Sequence, residues 1–177
     1  METVEASTLV YLSPEEIYEY LVDLRQFEDY SKYITDISRE GDEPLSEYEI
    51  TVSWWKIGYT ARVEITDVEP PNRIDWKLVK SIDANGYIEI EHVPEEAPEG
   101  RPDACRVVFH GEFDPDTVTA ESLDLPRVVP VSMLVNKVAP KAEPGARVII
   151  GRIVSNMEGE KRSIDLTVHE SPDPDAI

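Results

Sequence analysis

Apolar residues recur with two periods along this chain, and each change of period marks an element. In "YLSPEEIYEYLVDLRQFEDYSKYI", residues 11–34, the period is helical. Ser13 supplies an N-cap hydroxyl for a free N–H of the first turn. Pro14 fits the first helical position, and Glu16 completes a capping box. Leu12 and Ile17 flank the cap as a hydrophobic staple. Ile17, Leu21 and Leu24 fall at i, i+4 and i+7, which is one apolar stripe. Phe27, Tyr30 and Tyr33 follow at spacing three and predict a second short helix, and aromatics so spaced read as core and rim packing. Upstream, "TVEASTLVY" at 3–11 reads as a strand.

Beyond "ITDISREG" at 34–41, a weakly patterned strand, the period becomes two. Tyr48, Ile50, Val52 and Trp54 alternate with Glu47, Glu49, Thr51 and Ser53, the mark of a half-buried strand. Lys56-Ile57-Gly58 reads as the turn, and Tyr59, Ala61, Val63 and Ile65 alternate on the way back. "EPPN" at 69–72 breaks pairing, because Pro71 has no N–H for the ladder. Ile74, Trp76 and Leu78 begin a further strand, Asn85-Gly86 signals a hairpin, and Ile88 and Ile90 continue beyond it. After a polar loop at 94–103, Cys105, Val107 and Phe109 share one parity. Strands at about 12-residue spacing predict an antiparallel meander.

The last third changes again. Pro130, Pro140 and Pro144 predict that no single helix runs through it. Pro144 suits the first turn of a final helix, in which Ala146, Ile149, Ile150, Ile153, Val154 and Met157 form one face. Arg147, Gly151, Arg152, Ser155 and Glu158 lie on the other side, and Gly159 is a C-terminal stop. Arg152 is therefore expected to face solvent or a carboxylate. Ile164, Leu166 and Val168 then alternate, predicting a strand over 163–169. Such a strand needs an edge to pair with, in this sheet or in a second copy, so a homodimer is left open. Residues 1–170 read as one domain and 171–177 as a disordered tail.

Composition narrows the function classes. The 177 residues hold 37 acids and 17 basic residues, a net charge of −20. The acids are dispersed, so they form no acidic tail. Nucleic-acid binding needs a basic face and is excluded on this balance. Docking on an anionic membrane is disfavoured, and no apolar run is long enough for membrane insertion. Met1 is followed by Glu2 and Thr3 rather than by a basic start and an apolar run, so no secretory signal is expected. Cys105 is the only cysteine, which excludes an internal disulfide and suits a cytoplasmic setting. Dispersed acidity of this size also suits a high-salt cytoplasm.

The element order resembles the α+β helix-grip, or START-like, fold: a strand, two short helices, a curved antiparallel meander and a C-terminal helix. "SPEEIYEYLVDLRQFEDY" resembles the opening of its polyketide cyclase and coenzyme-Q-binding branch, with Ser13, Pro14, Ile17, Tyr18, Val22, Asp23, Phe27 and Tyr30 in the matching positions. "NRIDWKL" at 72–78 and "CRVVF" at 105–109 resemble strands of that branch. Period alone sets Ile149, Ile150, Ile153 and Met157 on one helix face, and Trp54, Val63, Trp76, Ile90 and Phe109 on one sheet face. The two surfaces are expected to face each other. The resemblance implies that they part at one end and leave a cavity for a lipid, a quinone, a polyketide or another hydrophobic small molecule.

Chemistry-bearing motifs are few. His92, His110 and His169 have no metal-ligand spacing. There is no phosphate-binding glycine loop and no nucleophile elbow, so no metal and no cofactor are expected. Cys105 sits among apolar neighbours, where a thiol is inert. His110 is expected to face outward, and Arg62 reads as a surface residue. An enzyme would need an acid or base inside the cavity, and His92, Tyr48 and Tyr59 are the candidates. The leading reading is a carrier of a hydrophobic ligand. The alternatives are a cyclase or dehydratase and a protein-interaction module. The charge reading predicts that the melting temperature rises from low to molar potassium chloride, as repulsion is screened. A flat or falling trend removes the high-salt assignment.

Overall fold

The computed structural model describes residues 1–42, 44–54 and 57–173, without the side chain of Ile57. Strand β1 (Glu2–Val10) leads into helix α1 (Pro14–Leu21), whose start is built as its sequence predicts. Ser13 Oγ accepts from the Glu16 N–H at 3.3 Å, and the Ser13 N–H donates to Glu16 Oε2 at 3.1 Å. A 3-10 helix (Leu24–Tyr30) follows, capped by Asp23. Six strands come next: β2 (Ile34–Glu40), β3 (Glu47–Trp54), β4 (Ile57–Glu69), β5 (Arg73–Leu78), β6 (Ala84–His92) and β7 (Cys105–Phe113). Helix α2 (Val131–Glu158) and strand β8 (Thr167–Glu170) complete the chain.

The eight strands form one antiparallel sheet in the order β2-β3-β4-β5-β6-β7-β1-β8. This is the helix-grip arrangement that the resemblance implies. Pairing across the sheet puts the apolar set on one face: Tyr48 opposite Val63, Ile65 opposite Trp76, Ile88 opposite Phe109, and Ala6 opposite Phe109. Val10, Ile65, Ile74, Ile90 and Cys105 of this face are at most 2% exposed, as are Ile17 of α1 and Val154 of α2. Burying each valine or isoleucine contributes about 2 kcal/mol.

Four expectations need correction. A single 28-residue helix does run through Pro140 and Pro144. Each proline withdraws one N–H, but residues 136–145 are exposed all round, so water can take its place at the Asn136 and Pro140 carbonyls. Asn85-Gly86 is not a hairpin turn; it lies inside β6, and residues 79–83 connect β5 to β6. The turn expected at 56–58 is already strand at Ile57 and Gly58, while Lys56 lies outside the described residues. The strand expected over 163–169 begins only at Thr167 and pairs with β1 of the same chain. Leu166 before it is buried and Ile164 packs against the core, so the alternation was driven by burial before any ladder forms. Residues 174–177 of the expected tail lie outside the described residues, and the Asp173 N–H donates to Glu2 at 3.0 Å.

Gly86 has a tertiary reason. A Cβ there would stand 2.0 Å from the His110 carbonyl oxygen and 2.8 Å from Trp76 Cζ2. A glycine inside a strand marks such a close approach. Gly86→Ala must displace backbone, and denaturant unfolding is expected to show a loss of about 3 kcal/mol. An unchanged midpoint would mean that the strands have room to separate.

Candidate functional site on the concave face

The apolar face of the sheet is covered at one end only. There, Tyr48, Ile65, Ile74, Ile90 and Cys105 are buried with α1 and the last turns of α2, where Ile150 and Met157 pack beside Val154. Toward the other end Val52, Trp54, Tyr59, Val63, Trp76 and Ile88 are half-buried. Phe109 is 40% exposed. Residues 136–145 of α2 are exposed on every side, so that stretch rests on nothing. The apolar surface of the sheet thus extends beyond what the chain covers.

The predicted site residues divide accordingly. Ile90 belongs to the closed core. Met157 and Ile150 pack against that core, and Ile149 and Ile153 are half-buried on the same helix. Trp54, Val63 and Trp76 are half-buried toward the other end, with Trp76 packed against the core, and Phe109 is the exposed one. Trp76 and Phe109 are stacked, with ring centroids 5.6 Å apart and planes at 15°. Gly86 and Gly111 make room for the indole: a Cβ at Gly111 would lie 3.4 Å from Trp76 Cζ2. These glycines were missed in the sequence, although a glycine within an alternating strand is their signal.

Among the polar groups on this face that are enclosed but have no hydrogen-bond partner are Trp76 Nε1 and the Tyr59 hydroxyl. An enclosed donor left unpaired costs about 1–3 kcal/mol. Burial, and then the negative charge of Asp124, push the Tyr59 hydroxyl above the ordinary phenol range, so it stays protonated. The other candidate acids and bases are engaged. Tyr48 is fully buried and its hydroxyl donates to the Val22 carbonyl at 3.2 Å. His92, at the end of β6, pairs with Asp103. His110 faces outward as expected, stacked on Tyr87 and bonded to Glu5 at 2.8 Å. Burial pushes the Cys105 thiol up to about 11, and its Sγ donates to the Leu12 carbonyl at 3.3 Å. It is not a nucleophile at neutral pH.

An apolar concave sheet with a C-terminal helix across it and an aromatic pair on its floor also has relatives. Residues 1–130 match the family described as polyketide cyclase / dehydrase and lipid transport. The chain belongs to this family. The match contains the whole aromatic pair and ends where α2 begins. No curated protein matches the sequence. The fold is shared with the Zhui aromatase/cyclase from Streptomyces sp. R1128, at 15% identity and a TM-score of 0.57 over 89% of this chain and 93% of that one. A protein from Thermus thermophilus is likewise 15% identical, with a TM-score of 0.57 over 89% of this chain and 97% of that one. The di-domain ARO/CYC StfQ from the steffimycin biosynthetic pathway is 10% identical, with a TM-score of 0.56 over 88% of this chain. The chain spans 49% of the length of StfQ. At these identities the likeness is one of fold.

In this member of the cyclase/dehydrase family two clusters tie the end of α2 to the first third of the chain. Asn156 Nδ2 donates to the Tyr20 hydroxyl at 2.9 Å, and Tyr20 in turn meets the Tyr30 hydroxyl. Arg152 is exposed as expected, but its partner is a main-chain carbonyl, that of Tyr30, at 2.9 Å. One turn on, the Glu158 side chain is completely buried and paired with Arg162 at 2.7 Å. Arg162 also donates to the Leu9 carbonyl at 2.8 Å and lies 4.1 Å above the Tyr11 ring, while the Tyr11 N–H donates to Glu158 at 2.8 Å. A carboxylate at a helix C-terminus opposes the helix dipole, so this one depends on its partners. Burial works against ionisation of Glu158, but the Arg162 and Tyr11 hydrogen bonds outweigh it and hold the carboxyl below its ordinary value of 4.5. Its contribution is therefore full above the ordinary glutamate range and is lost as pH falls through the lowered value. Arg162→Met strands a buried charge, and denaturant unfolding at pH 7 is expected to show a loss of about 3 kcal/mol. Glu158→Gln should flatten the acid limb of the stability profile. An acid limb identical to that of the parent would show that this pair does not set it.

Proposed function

We propose that the uncovered end of the concave face binds a hydrophobic small molecule with a planar, conjugated part and a hydrogen-bond acceptor, as in a quinone or a polyketide. The observation that carries this reading is the Trp76–Phe109 pair: a stacked aromatic floor, part of it exposed, beside an enclosed indole N–H without a partner. An indole nitrogen can only donate, so the ligand must offer an acceptor such as a carbonyl. Its apolar part would be held by burial, at about 25 cal/mol per Å² before the costs of association. The setting proposed for this carriage is the cytoplasm, which the single cysteine suits. No helix among the described residues is long and apolar enough to cross a membrane.

A second reading, cyclase or dehydratase chemistry, rests on Tyr59. Its hydroxyl is enclosed, unpartnered and protonated, which suits a general acid toward a ligand carbonyl. The carrier reading is preferred because His92 and Tyr48, the other candidates, are already engaged.

The test uses the full chain with menadione as a planar probe, binding being followed by quenching of tryptophan fluorescence and by calorimetry. Trp76→Phe keeps a ring on the floor and removes the donor, and is expected to weaken binding about tenfold with the fold intact. Ile153→Trp should fill the space and displace the probe, since a void accepts volume that a packed core rejects. Unfolding of the Ile153 variant, or unchanged affinity in both, removes the carrier reading. Tyr59→Phe should leave carriage intact; loss of turnover of a poly-β-ketone thioester in that variant would install the enzymatic reading instead.

A further inference from the structure

Positive charge gathers on one side of this acidic molecule, away from the concave face. Residues 127–162 hold seven of the 17 basic residues and three of the 37 acids. That is a net charge of +4, against −24 for the rest of the chain. Within this stretch an open groove of about 870 Å³ runs between α2 and the segment 159–164. Val148, Gly151 and Ile164 give it an apolar floor, and Arg147, Arg152 and Lys161 bring cations to it. Its one acid, Glu160, is paired with Arg101.

The cations are poorly compensated. Among the described residues neither Arg152 nor Lys161 has a carboxylate within ion-pair distance; the Arg152 bond goes to the neutral Tyr30 carbonyl. The carboxylate partner of Arg147, Glu143, is 60% exposed. A guanidinium bound to a carbonyl keeps its charge and its remaining donors. The groove is distinct from the concave face: on α2 Ile150, Val154 and Met157 turn to the core, whereas Val148, Gly151 and Arg152 line the groove.

We propose that this groove binds an anion-headed amphiphile, a carboxylate or phosphate on an acyl or aryl body. The head is held by Arg152 and Lys161, and the apolar part lies along Val148, Gly151 and Ile164. An anion is repelled by the rest of the surface and drawn to this side, which concentrates it at the groove. The apolar floor then separates an amphiphile from a small inorganic anion, which would leave that floor wet.

The test is calorimetric titration of the full chain with decyl phosphate, kept monomeric, and with inorganic phosphate. Saturable binding of decyl phosphate that weakens as potassium chloride rises is expected, with inorganic phosphate at least tenfold weaker. Lys161→Gln should cost about tenfold at low salt. Gly151→Leu should block the groove without unfolding the chain: its Cβ meets only Ile164, at 3.9 Å, and leucine is the better helix former. Trp76→Phe should leave decyl phosphate binding unchanged, and menadione should not compete with it, so this groove and the concave face stand or fall separately. The proposal is overturned by an absence of saturable binding, by equal affinity for the two phosphates, by no effect of Gly151→Leu, or by competition with menadione. Attachment to phosphatidylglycerol vesicles without binding of the monomer would also overturn it, in favour of a membrane-facing surface.

Discussion

The packing of the last turns of α2 on one end of the sheet is the contact on which the rest of this molecule depends. Val154, Ile150 and Met157 close the interior against Ile65, Ile74, Ile90 and α1. That contact is short, while the apolar face of the sheet is long. The surplus apolar surface at the other end is where the proposed ligand would lie. The polar clusters at Tyr20–Tyr30–Asn156 and at Glu158–Arg162–Tyr11 matter for the same reason. A helix supported over only part of its length needs directional bonds to hold its angle, because non-directional burial does not specify one.

Charge is the second constraint. On the outer face of the sheet the few cations stand among carboxylates: Arg73 with Asp75 and Glu89, Arg106 with Glu91 and Glu96, and Lys77 with Glu64. Exposed pairs like these contribute at most about 1 kcal/mol each. They spread the cations through a field of acids and leave that face strongly negative. The stretch from 127 to 162 departs from this arrangement: beside the Arg147–Glu143 and Arg162–Glu158 pairs, Arg152 meets a carbonyl and, among the described residues, Lys161 has no carboxylate within ion-pair distance. The family match ends at residue 130, so this charge pattern lies almost wholly outside the matched residues.

Parity made much of the concave face legible. Tyr48, Trp54, Tyr59, Val63, Trp76 and Phe109 all fall where alternation puts them, since a strand sends successive side chains to opposite faces. Alternation could not tell which of them would be covered. Ile90 and Phe109 read alike in sequence, yet one is 1% and the other 40% exposed. The prolines of α2 were misread because the cost of a missing N–H was weighed without knowing that water reaches the helix there. Gly86 was misread because a turn signal and a close-approach glycine look the same in sequence.

The amino-acid sequence by itself determined the order of elements, the helix cap at Ser13, the apolar parity of each strand and the acidity of the whole, because these are properties of neighbouring residues or of simple sums. Only the tertiary structure decided where α2 rests and where it leaves the sheet uncovered. It alone left Trp76 Nε1 and the Tyr59 hydroxyl without partners, and brought Arg152 and Lys161 to one groove with Ile164. Each of those facts depends on how the chain folds back on itself, and no local pattern records that.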